Sequence, residues 1–245
     1  MKNKMMRAAS VLMVAVLLST CAISGTFAKY VTSDTGTDSA RVAKWGVTIN
    51  VQDDMGMFSN GYKADNTVTN TASEASVLHA TEQLVAPGTK GSTSFTISGT
   101  PEVRNIITVD TTGSTPIRLG VGNYTLAAGK YANIETTVSI ADDANAYEPI
   151  RFYFGTVEGD LADANNYTLT MTQLQSAINA ELHEKTNNPG TALDVTYYIG
   201  WNWAFDNTIG VVANANADFF DTWLAQQVST QTMTLNLTVT ITQVD

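Results

Sequence analysis

Cysteine, histidine and positive charge are all scarce in this 245-residue chain. One cysteine, Cys21, and two histidines, His79 and His183, exclude a zinc cage built from Cys and His alone, which takes four such ligands. Thirteen lysines and arginines stand against 23 acidic residues, a formal charge of −10 at pH 7. A chain of that sign offers no basic face to release counterions from nucleic acid or to meet anionic lipid, so neither is expected as a partner. Charged residues of both signs make up only 15% of the sequence. The 44% that is hydrophobic, with four tryptophans, supplies enough apolar material for a sizeable core. The length suits one large domain or two small ones.

Basic charge is also unevenly placed. Residues 1–28 open with Lys2, Lys4 and Arg7, continue through an apolar run over 8–23, and end in Ser24-Gly25-Thr26-Phe27-Ala28. This is the order of a secretory signal peptide, with Ala28 at the expected −1 position of cleavage. Two alternatives use the same residues: an uncleaved membrane anchor, and a lipoprotein signal with Leu18-Ser19-Thr20-Cys21 as its lipobox. Cleavage after Ala28 removes three basic residues and no acidic one, taking the charge from −10 to −13. It also removes Cys21, so the exported chain forms no disulfide and must be held by its core, a metal or its neighbours. That suits the surface of a Gram-positive bacterium, and the sequons at Asn123, Asn166 and Asn236 are then accidental.

Past the leader, residues 29–41 are short, polar and aperiodic, and are expected to form a mobile N-terminal arm. Residues 42–245 then form one domain, with no linker and no internal repeat. The chain's 36 threonines fall largely in alternating runs and favour β-structure. Val47, Ile49 and Val51 alternate with polar neighbours, as do Phe95 and Ile97, then Ile134, Thr136, Val138 and Ile140. Val195, Tyr197, Ile199, Trp201, Trp203 and Phe205 form a further face. The cleanest run is Met233, Leu235, Leu237, Val239 and Ile241. Period-two alternation over so many segments predicts a mostly-β, antiparallel sandwich with one face of each strand buried. Turn chemistry separates the runs at Ala86-Pro87-Gly88, Gly99-Thr100-Pro101, 112–116 and Asn187-Asn188-Pro189-Gly190. One helix is expected from a cap at Thr172, with Gln175 completing a capping box and Leu174, Ile178 and Leu182 on one face, ending near Lys185. A second, shorter helix is expected around 218–226, where Phe219, Phe220, Trp223 and Leu224 share a face.

Catalytic patterns fail on their own physical requirements. His183-Glu184 begins like a His-Glu-x-x-His zinc helix, but the second histidine position holds Asn187, so two ligands do not meet on one face. His183 then reads as a solvated residue near a helix C-terminus, and His79 carries no assigned role. Gly120-Val121-Gly122 lies in a strand-like run, outside the strand-to-helix turn that a dinucleotide fingerprint needs. Asp53-Asp54 and Asp142-Asp143 read as solvated loop acids. Trp201, Trp203 and Phe205 share one face with Tyr197 and Ile199, and a continuous apolar face of this kind is core before it is a ligand platform. No enzyme, cofactor or metal is expected.

Several segments in order resemble the family of TasA and camelysin, in a divergent clostridial branch. They are Thr26-Phe27-Ala28-Lys29-Tyr30, Ser39-Ala40-Arg41-Val42-Ala43-Lys44-Trp45, Ala86-Pro87-Gly88-Thr89-Lys90-Gly91-Ser92 running into Gly99-Thr100-Pro101-Glu102-Val103, Trp201-Asn202-Trp203-Ala204-Phe205, Asp221-Thr222-Trp223-Leu224-Ala225 and Thr242-Gln243-Val244-Asp245. The resemblance implies a single jelly-roll-like sandwich with one or two short helical insertions. It also implies export through a signal peptidase of the SipW type, with membrane contact only through the uncleaved signal peptide, and a structural place in extracellular fibres of the biofilm matrix. In such fibres the N-terminal segment of one subunit adds as a strand to the next, the self-partner mode of β-augmentation. Lys29 at the new amino end, with Tyr30, Val31 and Val42 as apolar anchors, is the expected assembly arm. Camelysin-like peptidase activity is not expected here, for want of zinc ligands. The alternative is a carbohydrate-binding or adhesion module of the cell surface, which needs Trp45, Trp201, Trp203 or Trp223 exposed along a groove.

Overall fold

The alternation in the sequence becomes an alternation of faces in the computed structural model, which describes residues 41–44, 46–50, 56–62, 76–127, 136–204, 216–227 and 231–244. The chain divides into two units, Met1–Val42 and Ala43–Asp245, and every element below belongs to the second. In chain order the strands are β1 (Val47–Asn50), β2 (Gly61–Tyr62), β3 (Val77–Leu78), β4 (Thr89–Gly99), β5 (Asn105–Asp110), β6 (Gly122–Thr125), β7 (Thr137–Ile140), β8 (Ile150–Gly155), β9 (Lys185–Asn187), β10 (Leu193–Trp203) and β11 (Thr238–Gln243). Helix α1 (Met171–Leu182) precedes β9, and α2 (Ala217–Ala225) follows β10. The fold is mostly β, with antiparallel sheets in a sandwich-like arrangement and two helices, as the sequence pattern predicts.

A four-stranded sheet runs in the order β1-β4-β10-β8, a three-stranded sheet in the order β11-β5-β9, and β2-β3 and β6-β7 form two-stranded ribbons. The long pair β4 and β10 is the backbone of the first sheet, matched from Leu193 opposite Gly99 to Trp203 opposite Thr89. Along β10 the inward residues Tyr197, Ile199, Trp201 and Trp203 are buried, which a side-chain period of two requires once one face packs. Phe95, Tyr197 and Phe154 stack in a row across β4, β10 and β8, with ring centroids 5.2 and 5.7 Å apart. From the second sheet come Ile107 and Val109, and from the segment before β11 come Met233 and Leu235. Helix α1 closes the core with Met171, Leu174, Ile178 and Leu182, and lies against both β8 and β5. Leu119, Leu126, Val138, Ile140, Tyr147, Ala217, Phe219 and Phe220 form a smaller second core under β6, β7 and α2.

Two glycines show why the Pro-Gly turn and the Gly-rich start of β4 stand where they do. Gly88 takes a left-handed φ of 82°, the position of a turn that a side chain resists, and Thr89 closes it by donating its amide to Ala86 O at 3.0 Å. Gly91 sits directly opposite Trp201, and a Cβ there would lie 2.7 Å from the indole Nε1 and 2.3 Å from Met57 O. The indole crosses that gap to donate to Met57 O at 2.7 Å, so the core's largest side chain satisfies its one polar atom only because position 91 has no side chain.

Helix α1 starts two residues earlier than the sequence predicts. Thr170, and not Thr172, is the cap: its hydroxyl accepts from the Gln173 amide at 3.2 Å, and the Gln173 side chain accepts from the Thr170 amide at 2.9 Å. Both threonines have a glutamine three residues on, so the sequence contains two competing capping boxes. Burial chooses between them, because starting at Met171 puts Met171, Leu174, Ile178 and Leu182 on one face. The helix stops at Leu182, short of Lys185. Glu184 then takes a left-handed φ of 60°, and Lys185 begins β9. The second helix spans Ala217–Ala225, where one is expected.

Candidate functional site

The sequence places its candidate site in the arm. Lys29, Tyr30 and Val31 lie outside the described residues, as do the whole of 1–40, Trp45, Val51, Asp53, Asp54, Ile134 and Phe205. Val42 is described and is 90% exposed, the most exposed large hydrophobic residue among those described. An assembly arm needs an acceptor, and the sheet order supplies candidates at its ends. Among the described residues β11 is the terminal strand of its sheet, laddered to β5 from Thr238 opposite Asp110 to Gln243 opposite Asn105. Its Thr238, Thr240 and Thr242 are exposed, while Val239 and Ile241 pack on the core. β1 ends the four-stranded sheet in the same way, with Thr48 and Asn50 outward and Val47 and Ile49 half-buried. A terminal strand of this kind presents a row of backbone donors and acceptors on its outer flank.

The remaining residues singled out by sequence resolve into structural work. Trp201 and Trp203 are buried, at 0% and 5% exposure, and Trp223 is half-buried with its ring edge-on to Tyr124 at 4.9 Å. His79 accepts from the Thr81 and Glu82 amides through Nδ1 at 3.3 and 2.9 Å, closing a turn. His183 caps the C-terminus of α1 and is exposed. Asp142 caps a short 3-10 turn by accepting from Asn145, and Asp143 pairs with Arg118 at 2.6 Å. Among the described residues, no group of three or more His, Cys, Asp or Glu could hold a metal ion.

Sequence reasoning names Asp221 only within a segment and assigns it no role. It sits on α2 between Phe220 and Trp223, and its Oδ1 accepts both the Tyr147 hydroxyl and the Trp203 indole N–H, the latter at 3.2 Å. The carboxylate thus ties the second core, through Tyr147, to the end of β10 in the first. Burial pushes its pKa up to about 6, against the opposing pull of the two donors, with Asp218 adding to the rise. Burial and the neighbouring carboxylate also hold the Tyr147 hydroxyl protonated far above its ordinary range. A carboxylate amid the aromatics of an amphipathic helix was the available signal, and its partners are 18 and 74 residues away in sequence.

Comparison with known proteins adds no relative. No family model, no curated protein and no solved structure matches this chain. The weight of a functional reading therefore falls on the chain's own surface, above all on the edges of its sheets.

Proposed function

We propose that this chain is an exported structural subunit that polymerises into extracellular, biofilm-matrix-type fibres or a cell-surface assembly. The N-terminal arm of one subunit, from Lys29 through Val42, adds as a strand to a sheet edge of the next. The observation that carries this reading is β11, a six-residue terminal strand whose ladder to β5 uses one flank, with alternating Thr, Val and Ile suited to a further strand. Backbone pairing supplies affinity, and Tyr30, Val31 and Val42 supply the apolar anchors. Such a contact is heterologous, so it propagates into a filament. The reading includes a jelly-roll path for the strands, cleavage after Ala28 by a signal peptidase of the SipW type, and a Gram-positive cell surface as destination. It is a non-catalytic role that uses no cofactor.

The test is electron microscopy with light scattering on protein purified with and without residues 29–41. Filaments that vanish with the arm are the expected result, and equal assembly by both forms refutes the donor role. Subunits carrying −13 repel one another within a Debye length, so assembly should also strengthen with salt and at low pH. The adhesion-module alternative needs exposed tryptophans, and the burial of Trp201 and Trp203 removes two of its four candidates.

A further inference from the structure

A cavity of about 710 Å³ opens beside β8, where the start of α1, the short turn after β7 and the residue before α2 come together. Two of the chain's five arginines, Arg118 and Arg151, line it, in a protein where basic residues are scarce. Their situations differ. Arg118 is committed to Asp143, with 2.6 Å between Nη2 and Oδ1. The Arg151 side chain makes no hydrogen bond or close ion pair among the described residues, its Nε is fully buried and unbonded, and Glu148 and Tyr147 act on it only through the field. The nearby carboxylate, Glu148, is already engaged, accepting the Met171 amide at 2.8 Å at the start of α1.

Arg151 Nε is closed off from the cavity, so the terminal nitrogens of this half-buried guanidinium are what it offers a ligand, and a fork without a bonded carboxylate suits an anion. The cavity's charges narrow the choice. Asp143 neutralises Arg118 and Glu148 offsets Arg151, so the cavity carries no net positive charge, and hydrogen-bond geometry has to select the ligand. A single negative charge spread over a planar pair of oxygens matches the guanidinium fork. The remaining lining is rich in hydroxyl and amide side chains, with Thr168 and Thr172 exposed toward solvent. The volume lies in the range of small-molecule sites and accommodates a pyranose ring. We propose that this cavity binds a hydroxylated monocarboxylate, a uronic acid either free or as a residue of an acidic glycan, with Arg151 gripping the carboxylate and Thr172 a ring hydroxyl. This site is independent of the fibre reading, because it uses neither the arm nor β11.

Calorimetric titration of the intact chain at low salt tests it with four probes: sodium galacturonate, trigalacturonate, glucose and inorganic phosphate. The expected result is binding of at least one uronate, with glucose and phosphate weaker by about tenfold or more. Galacturonate alone binding marks a free sugar acid, and a preference for trigalacturonate marks a glycan; either supports the site. Arg151→Gln should weaken uronate binding about tenfold or more, and Thr172→Val by a few-fold, with unchanged circular dichroism. Should Arg151→Gln fail to fold, Arg151→Lys, which keeps the charge and loses the fork, and the exposed Thr172→Val decide the matter. The proposal is overturned if neither uronate binds, if phosphate binds as tightly as the uronates, or if folded variants at both positions leave uronate affinity unchanged.

Discussion

The two cores of this domain are built on opposite principles. The larger one, between the two main sheets and α1, buries aliphatic and aromatic side chains around Trp201, whose single polar atom is satisfied by a backbone carbonyl. The smaller one, under β6, β7 and α2, gathers Tyr147, Phe219 and Phe220 and closes around an ionisable group, with Asp221 bonded to Tyr147 and to Trp203 across the boundary. A core held by packing and a neutral hydrogen bond responds to volume. A core held by a buried carboxylate responds to pH as well, because the charged form is penalised by burial and the neutral form is not.

The largest expected effect lies in the first core. Trp201→Ala removes a fully buried indole and leaves Met57 O without its donor, and should cost about 3–5 kcal/mol in urea unfolding. A loss under about 1 kcal/mol would show that the two cores do not differ in this way.

Next comes Asp221. Its folded pKa of about 6 stands above the ordinary value of 3.8, so the native state takes up a proton more readily than the unfolded chain. Its contribution to stability is therefore fully present below about pH 4 and is lost as pH rises through about 6, a swing of roughly 2–3 kcal/mol. Asp221→Asn keeps an oxygen to accept from Tyr147 and Trp203 but cannot titrate. The stability difference between the variant and the parent should change by that amount between pH 4 and pH 7.5, in the parent's disfavour at the higher pH. A pH-independent difference would dissociate the second core from this carboxylate.

Smaller still is the cap of α1, the helix that serves the first core. Thr170→Ala breaks the capping box and should cost about 1 kcal/mol, whereas Thr172→Ala should leave thermal stability nearly unchanged. Equal losses at the two positions would contradict the observed start of the helix. The least effect is expected at the surface, where Lys185 pairs with Glu181 at 2.8 Å. The ammonium holds the Glu181 carboxyl below its usual range, yet Lys185→Ala should shift stability by only a few tenths of a kcal/mol, because both side chains are exposed and solvent screens them.

Legibility followed the same division. Alternating runs with one wet face were readable: Phe95 and Ile97, Val138 and Ile140, the β10 face, and the long run from Met233 to Ile241. In that last run the burial alternation persists through 233–237, although the continuous ladder begins only at Thr238. β5 and β8 were not read as strands, because Ile106-Ile107-Thr108-Val109 and Phe152-Tyr153-Phe154 are apolar or β-branched on both faces and carry no period. The Asp221 bonds and the place of Arg151 in the cavity were illegible for a different reason, since their meaning depends on residues brought from distant strands.

Local chemistry, then, settled which segments are strands with one buried face, where Pro-Gly turns break the chain, and that a helix lies near Leu174. These depend on side-chain periodicity and backbone torsion within a few residues. The choice between two equally good capping boxes, the pairing of Gly91 with Trp201, the edge position of β11 and the company kept by Asp221 and Arg151 were decided only when the sheets packed. They depend on which surfaces lose water together, and that is a property of the assembled chain.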